Sequence, residues 1–230
     1  TFQKTWPTYH TQTECVLAAH FKLAKNCQAA ADQLADMVRA CGTKLQTGFV
    51  GTPYLLHVLS DYGHTDLAWD LLLRTKYPSW LYPVTKGATT IWEHWDGIME
   101  NGGFWSADMN SFNHYAYGAI GEWMYRAMAG IEADPEHPGF KHAILYPRIG
   151  GNLKYTAGKY HSIYGDVGVK WEVQGKQITL TVQIPVNTTA EIRLDQAKAV
   201  LESDGLTFTR EADYMAAEAG SGTYHIAFEQ

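Results

Sequence analysis

Val167-Gly168-Val169-Lys170-Trp171-Glu172-Val173-Gln174-Gly175-Lys176-Gln177-Ile178-Thr179-Leu180-Thr181-Val182-Gln183-Ile184 has a hydrophobic period of two. Val167, Val169, Trp171 and Val173 alternate with small or polar residues. After the turn at Gln174-Gly175-Lys176, Ile178, Leu180, Val182 and Ile184 do the same. Such alternation predicts antiparallel strands with one buried face. Ala190, Ile192 and Leu194, and later Tyr224, Ile226 and Phe228, continue it. The tail is therefore expected to be a β-sandwich-like module of about 90 residues.

Upstream the period changes. Ala31, Leu34, Ala35 and Val38 make the i, i+3, i+4, i+7 stripe of an amphipathic helix, with Gly42 as its stop signal. Leu17, Phe21 and Ala24 suggest a helix before it. Thr52-Pro53 followed by Leu55, Val58 and Leu59 suggests one after it, and Ala68, Leu71 and Leu72 a fourth. Ala116, Ile120, Trp123, Ala127 and Ile131 predict a long last helix, with Gly118 and Gly121 inside it for a close neighbour. The two prolines and glycine of 134–139 end this regime. The expected organisation is α+β and multidomain, with a helical part over 1–137 and the sandwich over 138–230. Five or six helices could close as a small bundle or belong to a larger array, and periodicity does not choose between them.

Bulk properties exclude some partners. The 230 residues are 46% hydrophobic and 18% charged, which suits a folded core rather than disorder. A net charge of -6 without a basic run offers nothing to a phosphate backbone, so nucleic acid is not an expected partner. No apolar stretch reaches the roughly 18 residues of a membrane span. Cys15, Cys27 and Cys41 match no zinc spacing and read as buried thiols rather than a disulfide frame, and the compartment stays open. There is no His pair of the zinc-protease type, no phosphate loop and no dinucleotide fingerprint, so neither a metal nor a cofactor is expected.

Chemistry concentrates between Tyr77 and Tyr125, where aromatic residues reach about twice the chain's average of 13%. Aromatic faces suit the C–H faces of sugar rings, although each ring taken alone is equally good core material. Within this stretch Glu93 lies between Trp92 and Trp95, beside His94. Desolvation and neighbouring charge can tune such a carboxylate for proton transfer, whereas the plainer reading is a surface or structural glutamate. Asn110-Ser111-Phe112-Asn113-His114 opens the last helix, with Ser111 or Asn113 as its cap. His114 then reads either as a hydroxyl-binding donor or as a core histidine. His57 and His64, beside a helix end, are expected in solvent.

Four ordered stretches resemble the C-terminal half of the catalytic domain of bacterial α-L-rhamnosidases. They are Gly48 to Leu56, Tyr77 to Tyr82, Gly87 to Gly97 and Phe112 to Gly118. Gly139 to His142 and Ile184 to Ala190 resemble the family's C-terminal sandwich. The resemblance implies an (α/α)6 toroid and inverting hydrolysis of a terminal rhamnose, with two carboxyl groups about 6.5–9.5 Å apart. It places the general base on Glu93 and a sugar contact on His114. Trp92 and Trp95 are implied to line or support the pocket. The family's acid-rich segment carrying the general acid has no counterpart upstream of Gly48, and the helices are too few for a whole toroid. The resemblance thus implies an incomplete, inactive (α/α)6 part followed by the sandwich. Expected partners are a rhamnose-containing glycan, a missing N-terminal part of the same protein, and other copies through uncovered helix faces. A non-catalytic carbohydrate-binding or structural module is the alternative. A phosphorolytic (α/α)6 enzyme is disfavoured because Arg and Lys do not cluster near these motifs.

Overall fold

The computed structural model describes residues 8–230, which divide into two compact units, one ending at Gly121 and one beginning at Glu122. The first unit is helical. Thr11 opens α1 (Gln12–His20) with a reciprocal cap, in which its hydroxyl accepts from Glu14 N and the Glu14 carboxylate accepts from Thr11 N. The buried side of α1 is Cys15, Val16, Ala18 and Ala19 rather than the face through Leu17, Phe21 and Ala24. The reason is that α1 stops at His20 and Lys22 turns left-handed at φ 54°, leaving Phe21 52% exposed.

Asn26 caps α2 (Cys27–Ala40), which buries Ala31, Leu34, Ala35 and Val38 as its stripe predicts. Past it, Thr43 N donates to Val38 O across Gly42, whose φ of 78° suits a helix stop. Pro53 starts α3 (Thr52–Asp61), and α4 (Thr65–Leu73) follows across Gly63. The two bury Leu55, Leu56, Leu59, Trp69 and Leu71, and each such side chain contributes about 1.5–3 kcal/mol. His57 is in this core at 4% exposure, not in solvent, because α3 is buried over most of its turn. His64 stays half-buried with Nε2 2.8 Å from Asp32 Oδ1. A short α5 (Leu81–Thr85) leads into the aromatic stretch.

The expected long last helix is a composite: a 3-10 turn at Ala116–Ala119, α6 (Ile120–Trp123), and a π turn at Met124–Met128. Its two glycines differ. A Cβ on Gly118 would meet Ile91 at 3.5 Å, whereas one on Gly121 would meet nothing within 4 Å. Ile131 is not helical but begins β1, since Gly130 at φ 76° ends the turn and its carbonyl accepts from Tyr146 N.

The second unit is a sandwich of two five-stranded sheets. One has the order β1 (Ile131–Ala133), β2 (His142–Leu145), β6 (Thr189–Asp195), β9 (Tyr214–Ala219), β8 (Thr209–Arg210). The other runs β3 (Tyr155–Ser162), β4 (Gly165–Gln174), β5 (Gln177–Ile184), β10 (Gly222–Glu229), β7 (Ala199–Glu202). The alternating residues Val167, Val169, Trp171, Ile178, Leu180 and Val182 fill its core with Leu145, Ile192 and Phe228. Gly175, at φ 65°, makes the two-residue hairpin between β4 and β5. One departure from antiparallel pairing stands out: β2 and β6 run parallel, with His142 opposite Thr189.

Two outcomes follow. A Cβ on Gly130 would lie 2.1 Å from Pro147 N, so Gly130→Ala is expected to cost more than about 4 kcal/mol in urea denaturation. The Cys15 thiol is pushed up to about 11, first by burial and then by the Glu14 charge. Its neutral form therefore stabilises the fold below the ordinary value of 9.0, and that contribution is lost as pH rises toward about 11. Labelling with a disulfide reagent at neutral pH should reach Cys27 and Cys41 first, and Cys15 only at the rate of unfolding.

Candidate active site

The site is assembled by two chain segments that lie against each other, 91–97 and 110–114. His114 N donates to Ile91 O at 2.8 Å, and Glu93 N donates to Ser111 O at 2.9 Å. The Thr90 hydroxyl donates to Phe112 O, and Asn110 Nδ2 donates to Gly97 O at 2.9 Å. The chain between them makes an excursion closed by the bridge of Ile98 with Phe104. Gly97 sits tightly where the segments meet, since a Cβ there would lie 3.1 Å from the side chains of Asn110, Phe112 and Trp92.

Beneath these segments is an aromatic layer. Trp95 stacks on Tyr117 with centroids 3.7 Å apart and meets Trp80 edge-on at 5.3 Å. Trp80 Nε1 donates to Tyr117 O, tying the layer to the last helical run. Trp92 meets Phe112 edge-on at 4.9 Å. Trp92 and Trp95 are both buried. Burial also raises the Tyr82 and Tyr117 phenols, the acids Glu100 and Asp96 adding to the first and Tyr77 to the second.

Glu93 neither points into bulk solvent nor is locked in a tight ion pair. Its side chain is 19% exposed, one carboxylate oxygen accepts from Ser111 N at 3.0 Å, and the other lies 3.8 Å from His94 Nε2. That nitrogen is buried and has no hydrogen-bond partner, while the His94 ring stacks on Trp105 at 3.6 Å. A half-buried anion with one oxygen held and the other uncommitted can take a proton from a bound hydroxyl or water.

His114 is half-buried, its ring parallel to Phe49 at 5.0 Å and to Tyr115 at 5.4 Å. Its Nδ1 accepts from Ala116 N at 3.3 Å. A neutral His114 must therefore carry its proton on Nε2, which makes that atom a donor. The last helical run begins without Ser111 or Asn113 as its side-chain cap, for its first flanking residue is Tyr115. Ser111 instead serves Glu93 through its backbone, and its hydroxyl accepts from Asn113 N.

The sequence alone gives three neighbours of Glu93 and His114 no part beside them, and offers Ser111 only as a helix cap. Ser111 acts through its main chain, which no residue type announces. Phe49 comes from the turn before α3, 65 positions from the histidine it stacks on. Trp105 comes from the excursion. Position in the ordered motifs marked only Phe49.

Residues 4–128 match the bacterial α-L-rhamnosidase six-hairpin glycosidase domain, and 130–208 match the bacterial α-L-rhamnosidase C-terminal domain. The chain belongs to the bacterial α-L-rhamnosidase family. It is 43% identical over 221 residues to an α-L-rhamnosidase of Streptomyces avermitilis, covering 94% of this chain and 21% of that one. An α-L-rhamnosidase of Formosa agariphila is 41% identical over 203 residues, covering 86% and 22%. The crystal structure of the Streptomyces avermitilis enzyme complexed with L-rhamnose superposes with a TM-score of 0.88 at 41% identity, over 94% of this chain and 21% of that one. That of the Aspergillus terreus enzyme gives 0.83 at 32% identity, over 97% and 25%. The chain thus spans about a fifth of the length of the curated relatives it matches.

The aromatic layer and the rings above it should respond differently to truncation. Trp95→Ala is expected to cost about 3–5 kcal/mol by thermal or urea unfolding. Tyr115, 88% exposed, should tolerate Tyr115→Ala within about 0.5 kcal/mol.

Proposed function

We propose that this chain is the C-terminal part of an inverting α-L-rhamnosidase, supplying the water-activating half of the site. Glu93 is the general base: its uncommitted oxygen takes a proton from water as that water's oxygen bonds to the anomeric carbon. The glycosidic C–O bond breaks at the opposite ring face, and the leaving oxygen takes its proton from an acid encoded outside these residues. His114 donates from Nε2 to a sugar hydroxyl, and Trp92 and Trp95 hold the segments that carry both groups. The substrate is a rhamnose-terminated glycoside. The remaining barrel covers apolar helix faces that, without it, draw copies of this chain together.

The observation that carries this reading is the half-buried Glu93 carboxylate, anchored through one oxygen by Ser111 N–H, with the other oxygen free of hydrogen bonds and only loosely faced by His94 Nε2 at 3.8 Å. An anion so held is oriented without being neutralised, as a base requires. A second reading, glycan binding without cleavage, draws on the exposed rings Phe49, Trp105 and Tyr115.

Release of nitrophenol from p-nitrophenyl α-L-rhamnoside separates the two. The chain alone is expected to give no turnover above buffer. Supplying the rest of the protein should bring turnover, and Glu93→Gln should lower it by at least about 1,000-fold. Turnover near 1 s⁻¹ by the chain alone, lost in Glu93→Gln, would show that a complete site is already present. Saturable tryptophan quenching by rhamnose that survives Glu93→Ala, with no turnover in the completed protein, would favour the binding reading.

A further inference from the structure

The parallel pairing of β2 and β6 puts the starts of both strands at one end of their sheet, so the two loops that feed them stand together. These loops, 134–141 and 185–188, carry stretches marked above as family-like and left without a role by the Glu93 chemistry. Between them lies a cavity of about 420 Å³ lined by polar side chains, wholly within the second unit. Both loops hold a non-glycine residue in the left-handed region, Phe140 at φ 65° and Asn187 at φ 61°. Such strain is retained where surroundings over-determine it, ligand clamps among them. Here Phe140 is braced by stacking on Tyr160 at 4.4 Å, and Lys141 Nζ donates to Asn187 O across the gap.

The lining groups are oriented by bonds at their far sides. Asp134 Oδ2 lies 2.6 Å from His137 Nδ1, and the His142 Nδ1 is 2.7 Å from the Thr189 hydroxyl. The His137 contact, with the Glu136 N–H, also holds the Asp134 carboxyl below its usual range. With Nδ1 donating to that anion, the neutral His137 ring leaves Nε2 as an acceptor. Glu218, exposed on β9, has no ion-pair partner among the described residues. Two carboxylates against one lysine make the cavity unfavourable for an anion. Among the described residues no three His, Cys, Asp or Glu side chains converge as metal ligands. What remains is a mixture of acceptors (His137 Nε2, Glu218) and donors (the free protons of Lys141), which suits groups that both give and accept hydrogen bonds.

We propose that this cavity is a glycan subsite of the sandwich that takes one neutral pyranoside ring through its adjacent hydroxyls, independently of Glu93. The volume admits a monosaccharide, and the absence of an aromatic platform among the lining residues sets the affinity in the millimolar range.

The test is a heteronuclear NMR titration of the full chain with methyl α-L-rhamnopyranoside up to about 100 mM. Saturable shifts are expected at His137, His142 and Thr189, unchanged in Glu93→Gln. Glu218→Ala should weaken them about tenfold, and Asp134→Asn, which frees His137, should also weaken them. Linear or absent shifts at these residues would overturn the proposal, as would shifts produced only by inorganic phosphate or zinc. Shifts confined to Glu93 and His114 would overturn it while leaving the rhamnosidase reading intact, whereas failure of Glu93→Gln to lower turnover of the completed protein would overturn that reading and leave the subsite intact.

Discussion

Glu93 and Ser111 are joined twice, main chain to main chain and main chain to carboxylate. This pair of bonds sets the register of the two segments. It also aims the acid and spaces it from His114, which is fixed one step further along through Ile91. Neither segment is a regular strand, and the bonds of His114 N–H to Ile91 O, of the Thr90 hydroxyl to Phe112 O and of Asn110 Nδ2 to Gly97 O complete the pairing. The buried indoles of Trp92 and Trp95 supply the floor, and the last helical run supplies the wall through Tyr117. A carboxylate carried on irregular chain keeps a fixed direction only on such a rigid footing.

Where burial repeats with a fixed period, the sequence could be read. The stripe of α2 and the alternation of β4 and β5 are found where the residues put them, because one element face must be apolar whatever its partner. Reading failed where a neighbour decided the outcome. Phe21 continues a helical face on paper, yet α1 ends one residue earlier. Ile131 continues another, yet Gly130 and the β2 partner draw it into a sheet. The parallel pairing of β2 with β6 left no trace in period, since both pairings ask for the same alternation.

The candidate site was legible in its residue types and opaque in its connections. Glu93 and His114 stand out as polar groups in an aromatic run. Which atoms they use could not be read, because Ser111 N–H, Ala116 N–H and the Phe49 ring are contributed by backbone or by distant turns. The Nε2 donor of His114 is a consequence of a main-chain amide, and side-chain identity alone is silent on tautomers.

The sheet orders also bear on how the sandwich keeps its edges from pairing with other chains. Three of its four outermost strands, β1, β7 and β8, are only two to four residues long. They offer few free amides for a foreign strand to zip onto. The fourth, β3, is eight residues long but carries Lys159 and His161, both engaged with Asp166. Charge at that margin does for the long border what brevity does for the others, keeping the tail's stickiest groups from recruiting further chains.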